Sequence, residues 1–221
     1  MGTMILPAQN GPDVSLSDIV QGAARAEQEL EQALQTYVFR EDIRLQELSR
    51  TDAVVGEYHV ASEISFDSAG RMRDKVLEQT ANLKRITATR EDFEDIQSAW
   101  NLGLSQDMDK YSIRSLGKET VNGFPCHVLE LKPKNSSTTQ RLFSGKVWVE
   151  DRDMTIIKSS GKFSDVRERG KENLFPQFDL YREKIDGHWF PSSITAKDTL
   201  EFSTGPVNIR MTVKFESYRK L

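Results

Sequence analysis

A period of two runs through much of this chain. Between Val54 and Phe66, the residues Val54, Tyr58, Val60, Ile64 and Phe66 alternate with Val55, Glu57, His59, Glu63 and Ser65. Successive side chains of a strand point to opposite faces, so the pattern describes a sheet with one apolar and one mostly solvated surface. The same alternation returns at Tyr37, Phe39, Ile43 and Leu45, and again at Val207, Ile209, Met211, Val213 and Phe215. A large antiparallel sheet of this kind either buries its apolar face as a core or keeps part of it as a cavity for an apolar guest.

Composition narrows the choice of partner. Of 221 residues, 37% are apolar and 29% charged, a balance that suits a curved sheet with a wet outer surface. The net charge is −4 and Lys and Arg are interspersed among Asp and Glu, so no positive field is present to hold a phosphate backbone. Nucleic acid is therefore not an expected partner. The single cysteine, Cys126, excludes an internal disulfide and any multi-cysteine metal site. No apolar run is long enough for a membrane-spanning helix. Residues 1–14 read as an expression leader or flexible N-terminus, with residues 5–9 as a remnant near a signal-peptide cleavage site, and residues 15–221 as a single domain.

The order of elements follows from the pattern. From Asp13 to Thr36, Leu16, Ile19, Val20, Ala23, Leu30 and Leu34 recur at spacings of three and four, with Glu27, Glu29 and Glu31 mostly elsewhere, and Ser15 and Asp18 stand at capping-box spacing. This predicts an amphipathic helix. Strands are predicted over Tyr37 to Arg50, Val54 to Phe66 and Arg71 to Gln79, joined by links short enough to make them antiparallel neighbours. Glu91 to Leu104 breaks the pattern: Phe93, Ile96, Trp100 and Leu104 share one helical face, with Thr89 as the expected cap. Further strands are expected at Tyr111 to Val121, Phe124 to Leu131, Lys146 to Val149 and Thr155 to Ile157, then Phe178 to Ile185, His188 to Phe202 and Val207 to Tyr218. Asn122-Gly123 and Asp186-Gly187 are tight hairpin turns. Lys134 to Gln140 and Asp165 to Asn173 read as polar connections. The architecture expected is one continuous antiparallel sheet of about ten strands with helices at its start and middle.

Catalytic chemistry is sparse. His59, His127 and His188 fall on different predicted strands, and Glu57 with His59 offers two ligands on one face but no third at a diagnostic spacing. Cys126 and His127 diverge to opposite faces of a strand, so they do not form a nucleophile and base pair. No nucleophile elbow, phosphate-binding loop or dinucleotide fingerprint is present. The expectation is a protein without catalytic residues, metal or cofactor.

The layout of leading helix, long paired strands, middle helical insertion and closing hairpins resembles the periplasmic lipoprotein carrier superfamily, the LolA/LolB-like fold, and within it bacterial outer-membrane lipoprotein-sorting-like proteins. The segments that carry the likeness are Val121 to Pro133, Lys146 to Asp151, Asn173 to Pro176 and Tyr181 to Pro191. The resemblance implies an incomplete antiparallel β-barrel, a half-barrel, whose concave apolar face is covered by a helical lid. It further implies a non-enzymatic role in binding lipid or acylated lipoprotein, with envelope protein partners and transient membrane contact, in the periplasm after removal of a signal peptide. On the residues themselves, the expected ligand-binding face is Tyr37, Phe39, Ile43, Leu45, Tyr58, Val60, Ile64 and Phe66, with Phe93, Ile96 and Trp100 as the lid. Burial on such a face contributes roughly 0.8 kcal/mol per methylene. The alternative is an envelope sensor or protein-interaction domain whose concavity is filled by its own side chains; an enzyme of unknown class is the third reading.

Overall fold

A computed structural model describes residues 14–87, 90–135, 142–163, 176–202 and 204–221. The elements are α1 (Leu16–Leu34), β1 (Tyr37–Leu48), β2 (Val54–Phe66), β3 (Met72–Ala81), α2 (Arg90–Gln97), α3 (Leu104–Asp107), β4 (Tyr111–Val121), β5 (Phe124–Pro133), β6 (Phe143–Glu150), β7 (Ile156–Phe163), β8 (Phe178–Ile185), β9 (His188–Phe202) and β10 (Gly205–Lys220). All ten strands join one sheet in the order β3-β2-β1-β10-β9-β8-β7-β6-β5-β4, each antiparallel to its neighbours. The strands before Lys134 and those after it thus share a sheet, as the hairpin signals required. Its edges, β3 and β4, do not pair with each other, so the sheet is an open half-barrel.

Two local devices set its shape. Asn122 and Gly123 take φ of 50° and 86°, and Asp186 and Gly187 take 50° and 89°, the positive angles that match hairpin turns to the twist of their strands. Gly145 and Gly161 face each other across β6 and β7, with the ring of Phe143 lying over both; an added Cβ on Gly145 would stand 2.3 Å from the Ser160 carbonyl oxygen. Only glycine permits that approach.

The inner face and α1 form one apolar core that includes Ile19, Leu30 and Leu34 from α1 together with Ile43, Val149, Ile194 and Met211 from the sheet. Ser15 caps α1: its hydroxyl accepts from the Asp18 amide at 3.1 Å and donates to the Asp18 carboxylate at 2.7 Å. That reciprocal arrangement satisfies an otherwise orphaned donor of the first turn.

Several expectations need correction. The predicted Glu91 to Leu104 helix stops at Gln97, because Ala99 and Asn101 close tight turns onto Ile96 and Ser98, and Gly103 follows in the left-handed region at φ 69°. Trp100 therefore lies in a turn. Val54 is 47% exposed, so the apolar row of β2 begins later, at Tyr58. Glu27 of α1, read as part of the solvated face, is buried against the sheet. The outer face is not uniformly wet either: Cys126, Val128, Trp148, Ile157 and Trp189 make a second apolar cluster there. The expected cap Thr89, the leader at residues 1–13, and the connections at 136–140 and 165–173 lie outside the described residues.

Candidate functional site: a cavity of mixed lining beside buried polar groups

Strict alternation along β1 puts Tyr37, Phe39, Glu41, Ile43, Leu45 and Glu47 on the inner face. Across the ladder, Glu41 pairs with Ser62 and Ile43 with Val60. Between this wall, β3 and α2 lies a cavity of about 750 Å³, lined by Ile43, Tyr58 and Val60, by Met72, Asp74, Val76 and Gln79 of β3 with Arg73 beside them, and by Phe93, Glu94 and Gln97 of α2. Its size falls in the range of small-molecule sites, and its walls are mixed: Ile43, Tyr58, Val60, Met72, Val76 and Phe93 alternate with the polar side chains of Arg73, Asp74, Gln79, Glu94 and Gln97.

The expected binding residues divide between this cavity and the packed core. Ile43, Tyr58, Val60 and Phe93 line the space, and Phe93 stacks on Tyr58 with ring centroids 4.0 Å apart. Tyr37, Phe39, Leu45, Ile64, Ile96 and Trp100 are buried in the core, and Phe66 is half-buried against it. Tyr37 packs edge-on against Phe190 and donates to Asp186 at 2.9 Å; burial first, then Asp186, raises its phenol pKa.

The polar members of the inner face were not picked out from the sequence. Glu41 is 2% exposed, and its Oε2 has no hydrogen-bond partner; the Ser62 hydroxyl opposite it is likewise buried and unpartnered. Burial pushes the Glu41 carboxyl up to about 8, with the Gln97 side chain opposing that shift and the Asp74 charge adding to it. Gln97 in turn donates to Asp74 at 3.0 Å. Glu47, also buried, accepts from the amides of Lys84, Arg85 and Ile86 at 2.8, 2.8 and 2.6 Å, which ties the chain leaving β3 back over β1.

A second polar anchor sits deeper. Arg182 of β8 is wholly buried and pairs with Glu27 of α1 through both terminal nitrogens, at 2.5 and 2.8 Å, while donating to the carbonyls of Ile156 and, at 3.3 Å, Trp100. One guanidinium thus holds together the sheet, α1 and the turn carrying Trp100. The signal for these groups was available: Glu41, Glu47 and Arg182 are charges at positions where the alternation demands an apolar residue, and such interruptions mark function or specific pairing.

Cys126 and His127 point to opposite faces of β5. The thiol is buried, and burial raises it to about 11; His127 stands 2.9 Å from Asp151. His59 stands 3.0 Å from Asp42 on the outer face. Among the described residues no group of three His, Cys, Asp or Glu side chains is arranged around a metal-sized site, and no helix is long and apolar enough to cross a membrane.

The fold and cavity define a class, an open antiparallel half-barrel with helices over its concave face. The chain belongs to the family whose model, described as that of an uncharacterized protein, matches residues 76–216. No curated protein matches it. Among solved structures it is similar to a DUF1329 family protein from Desulfovibrio piger, at 17% identity and a TM-score of 0.45 over 91% of this chain and 92% of that one. It is similar also to a LolA superfamily protein from Nitrosomonas europaea, at 13% identity and a TM-score of 0.42 over 94% of each chain. A third is an outer membrane lipoprotein-sorting protein domain from Vibrio parahaemolyticus, at 12% identity and a TM-score of 0.38 over 91% of this chain and 93% of that one. At these scores the function has to be read from this chain's own residues.

Proposed function

We propose that this protein is a non-enzymatic binder of lipid or acyl chains, a carrier or sorting factor of the cell envelope, working in the periplasm after removal of a signal peptide. The observation that carries the reading is the cavity of about 750 Å³ between β2, β3 and α2, apolar along Ile43, Tyr58, Val60 and Phe93. Methylenes leaving water for such a surface contribute roughly 0.8 kcal/mol each, so a single chain supplies useful affinity without any covalent step. Phe93, with Ile96 and Trp100 behind it, is the lid of this reading, and acylated lipoproteins are its natural cargo.

The test blocks the cavity from its outer wall. Val76 lines it yet is 50% exposed, so Val76→Trp fills space without disturbing the core. The variant should bind a fluorescent acyl chain at least about tenfold more weakly than the parent, the loss of roughly two methylenes of burial. Equal binding by a folded Val76→Trp protein overturns this site. A second reading, an interaction or sensor domain with a self-filled concavity, is favoured by one observation: Tyr37, Phe39, Leu45 and Ile64, all expected to meet ligand, are packed in the core. A parent protein that binds no chain leaves that reading in possession.

A further inference from the structure

A second recess, of about 640 Å³, lies on the outer face of the sheet across β5, β6 and β7. Alternation turns Ser144 and Lys146 of β6 and Ser160 and Lys162 of β7 outward. Across the ladder Ser144 stands opposite Lys162 and Lys146 opposite Ser160, so each long side chain faces a short one and a trough is left between them. Lys132 of β5 brings a third ammonium to the same lining. Lys146 is the diagonal neighbour of both Lys162 and Lys132, positions roughly 7–8 Å apart in an antiparallel sheet. Among the described residues that line the recess, the one carboxylate is Glu130, and it already accepts from Arg114 at 2.8 and 3.2 Å and stands 3.4 Å from Lys132. Lys146 and Lys162 have no hydrogen bond or ion pair with any described residue. In a chain of net charge −4, three lysines thus converge on one recess whose carboxylate is already engaged. Like charges set side by side on a sheet are destabilising, and an anion between them reverses the sign.

We infer that this recess binds a phosphate monoester, its oxygens seated among Lys132, Lys146 and Lys162 and accepting from the hydroxyls of Ser144 and Ser160. A monoester carries close to two negative charges near neutral pH and three strong acceptor oxygens, which answers three ammoniums and two hydroxyl donors. Lysine meets phosphate as a point charge on a flexible stem, so the three heads can converge without any fixed fork geometry. The recess is larger than a phosphate group, and Trp148 and Phe163 in its lining offer apolar surface to the alcohol part of the ester. Ser160 is half-buried at the bottom of the trough, within reach of a head that enters it but not of a flat charged surface laid across the lysines. A soluble ester and a lipid head share this chemistry. The recess is on the opposite face of the sheet from the acyl-chain cavity, so it neither requires that cavity nor competes with it.

The experiment is calorimetric titration with glucose 6-phosphate, inorganic phosphate and glucose at about 0.15 M salt, where exposed charges are screened beyond about 8 Å. Glucose 6-phosphate should bind and glucose should not. The double change Lys146→Gln with Lys162→Gln, at two exposed positions, should weaken the ester at least about tenfold, the scale of losing hydrogen bonds to a charged group. Ser160→Ala, which leaves the charge untouched, should weaken it also, whereas Lys75→Gln on β3, outside the recess, should change nothing. Flotation with phosphatidylcholine vesicles, with and without phosphatidate, separates the sources: binding to soluble ester alone assigns a free ligand, and binding to ester and to phosphatidate vesicles admits a lipid head. Full affinity in the folded double variant or in Ser160→Ala overturns the site, as does a loss in Lys75→Gln equal to that in the double variant. Binding to phosphatidate vesicles with no binding of soluble ester also overturns it, in favour of a charged surface. None of these outcomes bears on the acyl-chain cavity, whose own test is the Val76→Trp variant.

Discussion

The carboxylate of Glu47 occupies the space that a side chain on Gly56 would need: a Cβ built there stands 2.5 Å from Glu47 Oε2 and 2.9 Å from the Asn82 carbonyl oxygen. Three backbone amides depend on that carboxylate, so the glycine on β2 makes room for the clasp that β1 extends to residues 84–86. Gly56→Ala should cost about 2 kcal/mol through displacement of the clasp and overpacking against backbone. Urea unfolding checks it; a variant as stable as the parent would mean the 82–86 connection shifts freely.

The buried pair of Arg182 and Glu27 should be lopsided in its mutational response. Removing either partner alone, as in Glu27→Gln or Arg182→Met, leaves a buried charge uncompensated and should cost about 3 to 5 kcal/mol. The double change Glu27→Leu with Arg182→Met should recover much of that loss, measured as a coupling in a double-mutant cycle. Additive losses would show that the two side chains act separately.

Stability should depend on pH through Glu41. Its folded carboxyl titrates near 8, above the ordinary glutamate value of 4.5, so the proton is held more tightly in the folded state. The stabilising contribution is fully present below about 4.5, declines as pH rises, and is lost by the time pH has passed about 8; the total is on the order of 5 kcal/mol. The difference in unfolding free energy between the parent and Glu41→Gln should follow that decline. A pH-independent difference would place the carboxyl in contact with water.

The Cys126 thiol is inaccessible and raised by burial to about 11, so a disulfide reagent at about pH 8 should label it only as the chain unfolds. Labelling rates against urea should track global unfolding. Fast labelling without denaturant would reveal that the outer cluster around Trp148 and Trp189 opens on its own.

Trp100→Asp should weaken acyl binding and lower stability, since the residue is 8% exposed and its carbonyl is held by Arg182. A buried unpaired charge costs several kcal/mol, so circular dichroism must first establish that the variant is folded. In a Trp148→Phe, Trp189→Phe background, bound chain should protect Trp100 from acrylamide quenching. Binding equal to the parent's in a folded variant would remove Trp100 from the lid.

The strands were legible because their information is local. β2, β4, β8 and β9 have the limits that alternation and turn residues predict, and the half-barrel expected from the family resemblance is the one observed. The site was half legible: Tyr58, Val60 and Ile43 stand out as an apolar row, whereas which of the row packs and which borders empty space depends on how α2 lands. Ser217 shows the limit in miniature. Simple alternation after Phe215 turns Ser217 inward, but Ser217 takes φ 57° opposite the register shift between Val38 and Arg40. Tyr218 enters the core instead and stacks on Phe39 and Phe190 at 5.0 and 4.9 Å. A bulge of this kind is fixed by the partner strand, and no pattern within β10 announces it.

The strand order has a further consequence for how the molecule is assembled. β3-β2-β1 and β9 through β4 are each laid down between neighbours in sequence, but the seam that joins them pairs Tyr37 with Lys220, nearly the whole chain apart. During synthesis β1 waits with a bare edge until the last strand emerges, its apolar row uncovered for that interval. Long-range closure of this kind is slow and invites aggregation. Loss of β10 would therefore remove more than one strand: it would divide the molecule into two sheets, each with a new raw edge, and chaperone dependence should concentrate at that final pairing step.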